Sequence, residues 1–236
     1  MFFQQDYAEP GPGVNPDAPE KTGVRRFLEI LQLECVTIFK LNLLFLVSCI
    51  PVITIPPAIF AMNQVVRRMV LDRPVDCFYH YRLAFRAYWK QGYAAFFLVL
   101  VPLVLSGYGA AFYLRQAEGN FLLFLPFTLC STVFFVTILA SPYLYGLLSC
   151  GMGVREAVKL ALPLGVGKPG RAVLAAVFVY GSLLASLLYF PLSVIYLLFL
   201  GFSFPCLIGN FYIRTVIKRF CPIAPAPDPG EEEEEA

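Results

Sequence analysis

Charge is what this sequence has least of. Only 14% of its 236 residues are Asp, Glu, Lys or Arg, against about 25% in soluble domains. The 42 residues between Arg171 and Arg214 contain none of these and no histidine. His80 is the sole histidine, which leaves too few imidazoles for a zinc centre or a histidine-based catalytic set. Seven cysteines make an odd count with no C-x-x-C pair, so a disulfide framework is not expected. Most lie in or beside apolar runs, where a free thiol packs as a small hydrophobe. Residues 1–34 lack the apolar core of a secretory signal, so insertion without cleavage is expected.

What is present is hydrocarbon. Hydrophobic residues reach 58%, above the roughly 45–50% of soluble domains. At about 1.5 Å per helical residue the run from Arg171 to Arg214 extends roughly 63 Å, twice the ~30 Å core of a bilayer. Pro191 falls near its middle, where a helix must break, so two membrane helices joined near Tyr189–Ser193 are predicted. Uncharged runs at 93–114 and 121–154 hold further spans, and 41–66 holds another that Pro51, Pro56 and Pro57 interrupt. The fold class is therefore all-α: a polytopic transmembrane bundle of five long apolar segments, the first broken between Pro51 and Pro57. As a hairpin that break gives six helices, at about 24–49, 55–71, 93–114, 121–149, 171–190 and 192–218, in a domain spanning 24–221. Proline and glycine before residue 24 and the Pro-rich, Glu-terminated stretch 222–236 predict disordered tails at 1–23 and 222–236.

Lysine and arginine set the orientation. If 41–66 crosses once, 13 basic residues fall on one side and 4 on the other. If the chain reverses at Pro51–Thr54, the split is 16 to 1, with Arg115 alone outside and Lys40 within the membrane. The hairpin is electrostatically cleaner, and a threonine followed by prolines is a good helix start; its second helix is near the minimum spanning length. On that reading both termini are cytoplasmic.

Two groups of side chains stand out. From Asp76, a candidate N-cap, residues 77–90 read as a short interfacial helix. Arg82, Arg86 and Lys90 share a stripe beside Phe85 and Trp89, a pattern suited to lipid headgroups or a partner. Nucleic acid is not an expected partner so close to the bilayer. Within the first apolar run, Glu34, Thr37, Lys40 and Ser48 project onto one third of a continuous helix and form a candidate intramembrane polar site. Lys40 also lies where its stem can snorkel to the interface, and Asn42 projects oppositely, placed to bond a neighbouring helix. Gly107, Gly109, Ala110 and Ala111 form a small-residue patch fit for close local packing.

Other patterns carry less. Gly165 to Gly170 matches G-x-G-x-x-G, but no strand precedes it and no acidic residue follows at the required distance, so it reads as a flexible turn. Arg155-Glu156-Ala157 before Leu162-Pro163 lacks the alanine pair and glycine of a permease coupling loop and reads as a short interfacial helix. No nucleophile–base pair, carboxylate dyad or metal set appears. An enzyme, a catalytic residue, a metal or a cofactor is not expected.

Asn42-Leu43-Leu44-Phe45, then Pro51, Thr54 and Pro57, then Arg67-Arg68 closing the next helix resemble the YesL family of bacterial membrane proteins. The family's Thr-x-Gly-Pro-Ala turn is similar to Thr54-Ile55-Pro56-Pro57-Ala58, with Pro56 at the glycine position. Phe85, Trp89, Lys90 and Gln91 resemble its Phe…Trp-Lys-Gln segment. The resemblance implies a bacterial inner-membrane protein whose relatives are often encoded beside carbohydrate ABC transporters. The expected function is a non-catalytic accessory to such uptake, with permease subunits as partners. The alternatives are a small carrier or substrate-capturing subunit with a polar intramembrane cavity, and a membrane-bound sensor using the 72–92 loop. Oligomeric state is left open.

Overall fold

The structure, a computed structural model, describes residues 23–71, 75–116, 121–167 and 169–220. The tails predicted at 1–23 and 222–236 lie outside these residues, Gly23 excepted. The described residues are helices joined by short turns, bends and loops, with no strand among them. The helices are α1 (Val24–Leu33), α2 (Cys35–Ser48), α3 (Ile55–Val70), α4 (Cys77–Ala87), α5 (Trp89–Gln116), α6 (Phe124–Ser149), α7 (Val154–Gly167), α8 (Pro169–Leu188), α9 (Ser193–Phe199) and α10 (Ser203–Phe220). Three segments, Trp89–Gln116, Phe121–Ser149 and Pro169–Leu188, are each long and apolar enough to cross a bilayer. The protein has the build of a multi-pass membrane protein.

The two ends of the apolar region are not the continuous helices predicted over 24–49 and 192–218. The first divides at Glu34, where α1 and α2 meet at 68°, and the second divides at 200–202, where α9 and α10 meet at 61°. Each bent pair is either one broken span or a re-entrant segment. At 1.5 Å per residue the 14 residues of α2 and the 16 of α3 reach only about 21 and 24 Å. Neither covers the ~30 Å hydrocarbon thickness alone.

The chain does reverse between α2 and α3. Thr54 Oγ1 donates to Ser48 O and Pro51 O, both at 2.5 Å, which closes the turn. Pro56 and Pro57 then occupy the first turn of α3, where a missing N–H leaves no helical bond unmade. At the far end of the hairpin, Cys77 Sγ at the start of α4 lies 3.9 Å from Thr37 O near the start of α2. Tyr93 OH of α5 bonds Ile53 O at the hairpin tip. A Cβ on Gly92 would sit 2.9 Å from Pro57 Cα, so only glycine lets α5 press onto the proline-led end of α3.

Helix α3 is the centre of the molecule, enclosed by protein rather than lipid; from Pro56 to Val66 every residue but Ile59 is buried. Its amides tie it to other helices: Gln64 Nε2 donates to Ser149 O at 2.8 Å, satisfying a carbonyl that the end of α6 leaves without a helical partner. The small-residue patch on α5 packs locally, since a Cβ on Gly109 would fall 2.9 Å from Cys130 Sγ and one on Gly107 would fall 3.2 Å from the Phe134 ring. The glycines at 165–170 are not a flexible turn. Gly165 and Gly167 belong to α7 and Gly170 to α8, and a Cβ on Gly165 would meet Ala140 backbone at 3.1 Å. That glycine is required by close helix packing, not by backbone freedom. Cys35, Cys49, Cys77, Cys130 and Cys206 are free thiols, whereas Cys150 is disulfide-bonded, a bond the odd cysteine count does not anticipate.

Candidate functional site

Where α9 breaks into α10, backbone groups lose their helical partners. One side chain supplies them. Asn42, fully buried on α2, donates from Nδ2 to Leu197 O and Leu198 O, both at 2.8 Å. Its Oδ1 accepts from Phe202 N at 3.0 Å and Ser203 N at 3.2 Å. Both amide protons and both oxygen lone pairs are thus used, and the break is held open by a helix more than 150 residues away in sequence. Gly201 sits in the break because a Cβ there would lie 2.5 Å from Leu197 Cα.

Beside this joint lies a cavity of about 480 Å³, walled by α2, α3, α5, α6, α8 and α10. Its lining is mainly aliphatic and aromatic, with no acidic or basic side chain. The polar groups in the wall are mostly engaged within the protein: Ser141 Oγ and Tyr180 OH share a bond of 2.7 Å, and Ser182 Oγ donates to Val179 O. Asn63 on α3 and Asn210 on α10 form the inner pair. Asn210 Nδ2 donates to Asn63 Oδ1 at 3.0 Å and to Cys206 O at 2.9 Å, while Asn63 Nδ2 donates to Ile59 O. Asn210 Oδ1 is left buried with no partner among the described residues.

The polar stripe expected on the first apolar run is assembled in part: Glu34 and Lys40 both act electrostatically on Cys77, whose Sγ lies near Thr37 O, while Ser48 stands apart from them. Glu34 sits at the α1–α2 bend. Thr37 faces the start of α4 through its carbonyl. Lys40 is exposed and lines neither this cavity nor a smaller neighbour. Ser48 does line that neighbour, a pocket of about 170 Å³ it shares with Arg82, Phe85 and Arg86. One residue of the first group is therefore brought to three of the second.

The helix expected over 77–90 ends at Ala87, with Tyr88 as its C-cap, and Trp89 and Lys90 open α5 instead. Asp76 Oδ1 caps the helix by accepting from Tyr79 N at 3.1 Å. Tyr81 and Ala84 are buried against the bundle, while Arg82, Arg86, Trp89 and Lys90 are exposed. The helix neither lies free on the surface nor disappears into the protein. Rings at every fourth position run from it into α5: Tyr81, Phe85, Trp89, Tyr93 and Phe97, with successive centroids 6.2, 5.7, 5.4 and 6.3 Å apart. An aromatic ladder beside cations suits the bilayer–water boundary. Burial, with Asp76 adding to it, pushes the Cys77 thiol at the head of α4 up to about 11. Among the described residues no three His, Cys, Asp or Glu side chains gather as metal ligands would.

Sequence reading missed the cavity pair and the site of the second break. Signals for both exist. Asn63 and Asn210 are amides within apolar helices, where polar groups find helix-spanning bonds, and Gly201, Ser203 and Pro205 together spell a helix stop followed by a start. No curated protein and no solved structure matches the chain. A family profile described as "Protein of unknown function, DUF624" matches residues 38–109, from α2 into α5, covering the Asn42-to-Gln91 stretch that carries the resemblance noted above.

Proposed function

We propose that the protein is a non-catalytic, multi-pass component of the bacterial plasma membrane, of YesL type, that serves as an accessory to carbohydrate ABC-type uptake. Both termini face the cytoplasm in this reading, as the 16-to-1 distribution of basic residues favours. The observation that carries the accessory role over a sugar-binding one is the chemistry of the large cavity. A sugar needs many directed hydrogen bonds, and this lining is aliphatic and aromatic with few polar groups and no charge. The exposed basic and aromatic face of α4 offers a surface for permease subunits or headgroups at the cytoplasmic boundary.

The test is purification of the tagged protein from its native membrane, identification of the sugar permease that accompanies it, and reconstitution of that transporter with and without it. The accessory reading expects uptake to change on adding the protein while the protein alone binds no sugar. Saturable binding of sugar by the isolated protein, or transport indifferent to its presence, overturns it. A second reading, a substrate-capturing membrane subunit, is favoured by the cavity itself, though with a ligand less polar than a carbohydrate.

A further inference from the structure

We infer that the α2–α3 hairpin does not cross the bilayer: it turns back within the leaflet where α5 begins and seats its apolar tip, residues 50–53, against anionic phospholipid. The neighbours of the hairpin fix its depth. Gly109 and Gly107 of α5 face Cys130 and Phe134 of α6, an antiparallel register that sets Ser149 level with Gln91. Passing along the hairpin, Ile53 O accepts from Tyr93 OH and Pro57 packs on Gly92. Phe60 then meets Tyr88 with ring centroids 5.6 Å apart, and Gln64 donates to Ser149 O. Residues 53–64 advance roughly 16 Å at 1.5 Å per residue, yet all four contacts fall at one level, the first turns of α5 and the last of α6. A helix crossing beside α5 would climb it; α3 runs across it instead. Helix α4 lies alongside, with Cys77 near Thr37 at the start of α2 and Arg82 and Arg86 sharing a pocket with Ser48 at its end.

Charge sets the side and the lipid. With α5, α6, α8 and the α9–α10 pair as the crossings, 17 of the 18 basic residues share one face and Arg115 alone lies on the other, which makes the shared face cytoplasmic. Lys40, which a crossing hairpin would hold in the membrane, is exposed on α2. Val47, Ile50, Val52 and Ile53 are 58% to 78% exposed, and no Asp, Glu, Lys or Arg lies between Lys40 and Arg67, so nothing in the tip holds it in water. Tyr93, bonded to Ile53, stacks on Phe97, itself 52% exposed. The tip is thus continuous with the lipid-facing side of a membrane-spanning helix. Its backbone is largely paired: Cys49, Ile50 and Thr54 donate to Phe45 O, Val47 O and Pro51 O, and Thr54 Oγ1 donates to Ser48 O and Pro51 O. Seating it at the acyl boundary therefore leaves few hydrogen bonds unmet. Arg82 and Arg86 stand beside it at headgroup depth, where each attracts anionic lipid. None of these contacts depends on partnership with a transporter.

The experiment uses the full-length protein in proteoliposomes captured through a C-terminal tag, with Trp89, the sole tryptophan, as the reference for the face where α5 begins. Nitroxide-labelled lysophosphatidylglycerol or lysophosphatidylcholine, added from outside, enters the outer leaflet alone and quenches nearby indole. Ile53→Trp and, as a second tip position, Val52→Trp are each combined with Trp89→Phe. Phe121→Trp in the same background, between α5 and α6, marks the opposite face. Trp89 and both tip indoles should be quenched while Phe121→Trp is spared. At the tip, lysophosphatidylglycerol should act at a concentration at least about threefold lower than lysophosphatidylcholine, and Arg82→Glu with Arg86→Glu should make the two equal. Tip indoles that behave like Phe121→Trp show a crossing hairpin and overturn the proposal. Quenching of the tip by aqueous iodide but by neither lipid overturns it too, as does an equal response to both lipids with the arginines in place.

Discussion

Asn42 is the residue on which the fold should be most sensitive to a single change. Asn42→Leu keeps the size of the side chain and removes all four hydrogen bonds at the α9–α10 break. The carbonyls of Leu197 and Leu198 and the amides of Phe202 and Ser203 then face an apolar side chain. Side-chain hydrogen bonds within membrane proteins average about 0.6 kcal/mol and reach about 1.7, so four together are worth roughly 2–4 kcal/mol after partial relaxation. For a chain of this length that is a fall in Tm of roughly 5–15 °C.

The assay is thermal unfolding of the purified protein in mild detergent, paired with hydrogen exchange across 197–203. Exchange separates local loosening of the break from global loss, because amides at 202 and 203 should lose protection before the rest of α10. Thr132→Ala is the control, since the exposed Thr132 Oγ1 donates to Thr128 O one turn back in its own helix; its effect should stay near 0.5 kcal/mol or below. A Tm for Asn42→Leu within about 2 °C of the unaltered protein, with normal protection at 202 and 203, refutes the clamp.

Gly92→Ala should destabilise by about 1–3 kcal/mol, read as a lower Tm, because its Cβ would meet Pro57 backbone at 2.9 Å and backbone cannot swing aside. Cys77, left as the sole cysteine, should react with a water-soluble maleimide at a rate still rising through pH 9–10.5. Its thiol is raised to about 11 from an ordinary 9.0, so the reactive thiolate grows in only as pH approaches the higher value; a plateau near pH 9 would contradict this. Arg82→Glu with Arg86→Glu should abolish a salt-sensitive rise in Tm on adding phosphatidylglycerol, with at least about 2 kcal/mol of headgroup attraction removed. Lys40→Met should leave Tm within about 1–2 °C and any uptake phenotype intact, since Lys40 lines neither cavity; loss of uptake with normal folding would return Lys40 to a contact role.

Composition and charge patterning made the fold class and the long spans legible, because only hydrocarbon solvates such runs. The turn at Pro51–Thr54 was legible too, since threonine and tandem prolines dictate a helix start wherever they occur. The break at Glu34 was not. It carries neither glycine nor proline, and it is set by how α1 and α2 meet the rest of the bundle. The same bend takes Glu34 off the axis of the helix that carries Thr37, Lys40 and Ser48, so only those three keep the common projection the sequence suggests. Asn42 was readable as a residue seeking a neighbour, but its partner was hidden. Nothing local joins position 42 to 197–203, and the pairing exists only once the ends of the chain pack together.

That pairing bears on how the cavity is held open. An unbroken helix over 193–220 would satisfy its own backbone and need nothing from α2. The break leaves backbone groups that one distant amide satisfies, and it places Gly201 and Phe202 in the cavity wall. Phe202 also packs against Phe45, centroids 5.0 Å apart, so the residue whose N–H Asn42 accepts braces the same wall from its side chain. Non-helical backbone at membrane depth is tolerated where it is enclosed in protein or lines a cavity, and here it does both. The clamp and the cavity therefore form one unit: a variant that frees the α9–α10 joint should also collapse or reshape the space beside it. In Asn42→Leu, Cys206 in the cavity wall should gain reactivity toward a membrane-permeant maleimide as protection falls at 202 and 203, although Asn42 itself lies outside the lining. Unchanged Cys206 reactivity in a variant whose joint has demonstrably loosened would separate the two and show that the cavity keeps its shape without the break.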